Sequence, residues 1–210
     1  MSQSFTPRRP AMLSFEDAER LIQGDDDPAA TTQLATTSAR ALIGLNDEEF
    51  DAHAVANLVT TINSEGVDVV ASLWERSPEF TLPGALWRLY LFNEWFRRDP
   101  DVVRQRFDEG LAAPYRHGID DNTHIPPLDT VINSIDEVMH ARLSGSLADL
   151  LRASAIVMRV LASGATFGST WIRSDRDRLA TLVTRRAGAL LATANELDIA
   201  ASRARSGRLI

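Results

Sequence analysis

The punctuation of this chain is helical, and it leaves little room for any other architecture. Asp27-Pro28 and Asp99-Pro100 each set a capping carboxylate before a proline, whose fixed φ and missing N–H suit the first turn of a helix. Ser77-Pro78 and Leu82-Pro83 mark two further restarts. Ser14-Phe-Glu-Asp17, Asn46-Asp-Glu-Glu49, Ser146-Leu-Ala-Asp149 and Ser174-Asp-Arg-Asp177 each place a side-chain oxygen three residues ahead of a carboxylate. That spacing lets both groups satisfy free N–H groups of a first turn. Gly44 and Gly66 supply stops.

Between these marks apolar residues recur at helical spacing, as in Phe50, Ala54, Leu58 and Ile62. Helices are expected over 28–43, 46–66, 67–76, 82–98, 100–112, 128–143 and 146–162, with a long final helix from 174. Gly164 and Gly168 are expected to loosen the chain between the last two. Val67-Asp-Val-Val70 is the best strand candidate, but it is short and sits in helical company. The fold class is therefore all-α: an irregular bundle of about eight or nine helices around a central apolar helix, with no significant β-sheet. Residues 1–13 are expected to form a tail and 14–210 a single helical domain. Sub-layers 14–113 and 126–205 would then join through the proline-rich loop 114–127.

Composition removes several chemistries. The chain has 210 residues and no cysteine, which excludes disulfides, thiolate nucleophiles and cysteine-ligated metal centres. All 22 basic residues are arginine, so lysine Schiff bases and a P-loop lysine are excluded too. The arginine and alanine usage fits a GC-rich genome. No run of about 18 apolar residues predicts a membrane span, and no leader segment is evident, so the expected location is cytoplasmic. The net charge of −7 has the wrong sign for nucleic acid. It is unevenly spread, with an acidic first third and an arginine-rich end, a pattern that suits pairing within the fold or between subunits.

The stretch LPGALWRLYLFNEWFRRDP, residues 82–100, is apolar almost all round yet carries Arg88, Asn93 and Glu94. Such a helix belongs in the middle of a bundle, and a buried arginine there needs a partner from another helix or from a ligand. The acidic first third is the obvious supply of carboxylates. The rival reading is a small-ligand pocket walled by Trp74, Trp87 and Tyr90, in which Arg88 and Asn93 anchor a carboxylate or phosphate. The structural reading is preferred.

Glu137-Val-Met-His140 is a Glu-x-x-His pair on one helix face, the spacing used by carboxylate-bridged metal bundles. No second copy exists, and Glu49 and His53 offer only a different spacing. A divalent metal at Glu137 and His140 is the one cofactor entertained. The loop 114–127 gathers His117, Asp120, Asp121 and His124, a set that could bind a divalent metal or a ligand or run acid–base chemistry, or equally form a solvated turn; long loops in compact domains often carry function. Gly164-Ala-Thr-Phe-Gly168 lacks the glycines of a phosphate loop, and Ser146 is better explained as a helix cap than as a nucleophile.

The leading expectation is a non-enzymatic binding or interaction protein with a protein or small-molecule partner. It is expected to be a homodimer, its interface supplied by charge asymmetry and the apolar helix from Ser146. A metal-dependent helical enzyme and a DNA-associated regulator using the arginine-rich end are the alternatives.

Overall fold

The computed structural model describes residues 28–45, 52–168 and 178–209; among these there are eight helices and no strand. They are α1 (Pro28–Leu42), α2 (Ala52–Glu65), α3 (Asp68–Trp74), α4 (Leu82–Arg98), α5 (Pro100–Ala112), α6 (Leu128–Met139), α7 (Leu147–Phe167) and α8 (Arg178–Arg205). The all-α expectation holds. Val67–Val70 belongs to the start of α3, not to a strand. The caps expected at Ser14–Asp17, Asp27, Asn46–Glu49 and Ser174–Asp177 lie outside the described residues.

Local chemistry accounts for most boundaries. α1 stops where Gly44 turns to φ +75°, and Leu45 N–H returns to the Arg40 carbonyl at 2.9 Å. The Thr81 hydroxyl accepts from Gly84 N–H to start α4, with Pro83 in the first turn. Ser146 caps α7 through Asp149 N–H. Asp99 starts α5 without a side-chain capping bond, so Pro100 carries that start alone.

Two boundaries differ from expectation. α6 stops at Met139 and not near residue 143, because Arg142 N–H closes back onto the Glu137 carbonyl at 2.8 Å. That closure forces Ala141 to φ +54°, a left-handed conformation costing a non-glycine residue about 1 kcal/mol. Packing of Ala141 and Leu143 against the core offsets it. The second difference is α7, which runs through Gly164 to Phe167. Gly164 does not loosen the chain; it lets two helices touch. A Cβ there would lie 1.9 Å from the Arg106 carbonyl oxygen, and one on Gly110 would lie 2.0 Å from that of Val160. α5 and α7 therefore run antiparallel at backbone contact.

α7 is the most enclosed element, with 14 of its 21 residues buried. It packs on α8, α5, α6 and α4. α4 shares the centre, against α1, α3, α6 and α8, but buries mainly one side, from Leu82 to Asn93. The difference follows from composition: only Arg152 and Arg159 interrupt α7 from the side of basic residues, whereas α4 ends in Arg97 and Arg98. α7 is also long and apolar enough to cross a membrane, with a mean hydropathy of 1.4 over its best window. This is an apolar segment that counting uninterrupted runs overlooks. Here it lies inside the bundle.

Candidate functional site

The polar groups of α4 are spent on neighbouring helices. Arg88 Nε donates to the Glu196 carboxylate on α8, and its Nη1 donates to the Gly84 carbonyl at 2.8 Å. Glu196 comes from the arginine-rich final helix and not from the acidic first third, which corrects the expected source. The Arg88 side chain is only 16% exposed, so removing its partner would strand a largely desolvated charge. Asn93, also buried, donates to Asp136 on α6 at 3.4 Å.

The aromatic residues are equally occupied. Trp74 is fully buried, and its ring N–H donates to the Ser38 hydroxyl on α1 at 3.0 Å. Trp87 and Tyr90 stack with centroids 5.3 Å apart. The Tyr90 hydroxyl donates to Asp68 on α3 at 2.8 Å. Burial and that hydrogen bond, reinforced by the charges of Asp68 and Glu94 and opposed by Arg98, push the Tyr90 hydroxyl up to about 12. Arg88 thus reaches α8, Asn93 reaches α6, and Tyr90 reaches α3. They diverge, and none of Trp74, Trp87, Arg88, Tyr90 and Asn93 lines the cleft described below.

Glu137 and His140 share an end of α6 but not a target. Glu137 accepts from the Ser144 hydroxyl at 2.7 Å, while His140 Nδ1 lies 2.7 Å from the Asp136 carbonyl oxygen and 3.5 Å from its carboxylate. His140 therefore serves the helix terminus. His53 is exposed on α2, and Glu49 lies outside the described residues. Among the described residues no three metal-ligating side chains converge.

In the loop, His117 N–H donates to Ser163 on α7 and its ring meets Tyr115 edge-on. Gly118, at φ +66°, lies over the guanidinium of Arg159, which is bound to Asp198 and Asn195 on α8. Asp120, Asp121 and His124 are exposed. The loop is strapped down at its centre, and no contact joins His117 to His124 in a shared site.

The end of the same loop does build a concave surface. A cleft of about 410 Å³ lies between the last turns of α5, residues 125–127 and the first turn of α6. Phe107, Leu111, Ile125, Pro126, Pro127 and Leu128 give it apolar walls, and Arg104, Asp108 and Asp129 stand around it. Arg104 is held in place by Asp129 at 3.0 Å and by the Phe96 ring, whose centroid is 4.9 Å away. Sequence reasoning placed interest in the loop but at its histidines, not at this end. The signal was available: Phe107 and Leu111 fall four apart on α5, and the loop that follows ends in a proline pair, Pro126-Pro127, that cannot join a helix interior. No histidine, serine or threonine lines the cleft. What it presents is an apolar surface beside fixed charges. Compared with known proteins, the chain matches no family model, and no similar curated protein or solved structure was found.

Proposed function

We propose that this protein is a non-enzymatic binding module that engages a partner through the cleft between α5 and α6. The observation that carries the reading is an apolar surface left open to solvent: Leu111 is 40% exposed, in a cleft otherwise walled by Phe107, Ile125 and the two prolines. Isolated exposed leucines are ordinary, but one set in a concave apolar wall offers area to a ligand. The polar groups of α4 support the same reading by being used within the fold, which leaves little there for a substrate.

A cytoplasmic location and a homodimer accompany this proposal. The dimer now rests on charge asymmetry alone, because the apolar surface of α7 is spent inside the bundle. A DNA-associated role ranks lower: Arg203 lies over Phe80, and Arg205 pairs with Asp149. The metal-enzyme alternative ranks lower because Glu137 and His140 have separate partners.

The test is an amide-resolved NMR titration with N-acetyl-leucine amide as a neutral apolar probe. Shifts gathered at Leu111, Ile125 and Leu128, and lost in Leu111→Asp, are expected. Shifts scattered over the surface, or none, would contradict the proposal.

A further inference from the structure

The cleft is unequal in charge, and this sharpens the binding role proposed above, on which the inference rests. Arg104 is answered within the chain, by Asp129 at 3.0 Å, Asp101 at 3.9 Å and the Phe96 ring. Asp108 also lines the cleft, is exposed, and has no hydrogen-bond or ion-pair partner among the described residues. α5 ends beside it with no basic residue in its last turn. α5 itself therefore supplies no cation to the negative end of its dipole. At the start of α6, by contrast, Asp129 already complements the positive end of that helix. The cleft thus combines an apolar floor with one spare carboxylate, beside the end of a helix that carries no cation of its own in its last turn.

We propose that the occupant is a peptide segment of a partner protein in which an arginine or lysine stands beside an aliphatic residue. The aliphatic side chain fills the space between Leu111, Ile125 and the prolines. The cation takes the side of Asp108 and the last carbonyls of α5. Arg104 draws an acidic segment less strongly, because its charge is shared with Asp129 and Asp101 and its face with Phe96.

The experiment uses the full chain and three fluorescein-labelled peptides, acetyl-Gly-Leu-Pro-Arg-Leu-Gly-amide and its counterparts with glutamine or glutamate in place of arginine. Fluorescence anisotropy at low salt is expected to give binding about fivefold tighter for the arginine peptide than for the glutamine one, with glutamate weakest. That preference should shrink as salt rises. In Asp108→Asn, an exposed change that leaves the fold intact, the arginine and glutamine peptides should converge. Equal binding of the two by the unaltered protein would overturn the cationic partner while leaving the binding role standing. Binding of none of the three, or binding unchanged in Leu111→Asp, would overturn both.

Discussion

The contact between α5 and α7 and the contacts around α4 hold the same bundle by different means. Between α5 and α7 the backbones touch through Gly110 and Gly164, and shape alone decides the fit. Around α4 the joints are directional: Arg88 to Glu196, Trp74 to Ser38, Tyr90 to Asp68, Asn93 to Asp136. A shape-governed contact fails when a carbon is added, because a close-packed interior has nowhere to put it. A directional contact fails when one partner is removed, because an enclosed group such as the Trp74 ring N–H is left unpaired. The polar residues Arg88, Tyr90 and Asn93 of α4, which resemble a binding site, each bond to a neighbouring helix.

The contrast can be broken at glycines first. Gly164→Ala places a methyl group against the Arg106 carbonyl, and urea denaturation should show a loss of about 3 kcal/mol. Gly188, also inside a helix, has open space where its Cβ would be. Gly188→Ala should instead gain about 0.5–1 kcal/mol. Equal effects at the two sites would remove the backbone contact from the account. Ser38→Ala, which orphans the Trp74 ring N–H, should cost about 1–3 kcal/mol, measured in the same way. Ala141→Gly relieves the left-handed turn after α6 and should raise stability by about 1 kcal/mol in thermal melts.

The smallest effect sharpens the directional side. The Tyr90 hydroxyl is raised, so its neutral form favours the folded state. That contribution is complete below the unfolded value near 10 and is lost as pH climbs through about 12. Ultraviolet titration of a Tyr115→Phe protein, in which Tyr90 is the remaining tyrosine, should show tyrosinate forming around pH 12. Asp68→Asn should move that midpoint down towards the ordinary value.

Much of this architecture was legible because caps, prolines and glycines act locally. α4 begins and ends where the prolines and Asp99 place it. What was not legible depended on distance along the chain. Gly164 looked like a helix breaker because its reason is Arg106, on another helix. The partner of Arg88 lies 108 residues away, and no pattern near either residue announces the pairing. Ala141 was unreadable for a related reason, since tertiary packing of Leu143 overrides the preference of alanine to continue a helix. The cleft fell between two readings, with the loop noticed for its histidines and α5 noted only as a helix. Glu137 and His140 had the right spacing for a metal pair, but spacing does not say where side chains turn.

The measurement that bears most directly on the central claim is a double-mutant cycle on Arg88→Met and Glu196→Gln, read by urea denaturation. If the polar groups of α4 hold the fold together, each single change costs stability and the pair couples by about 1–2 kcal/mol. Additive changes near zero would mean that Arg88 does not serve the fold, and a ligand would again be the best explanation for an arginine among tryptophans.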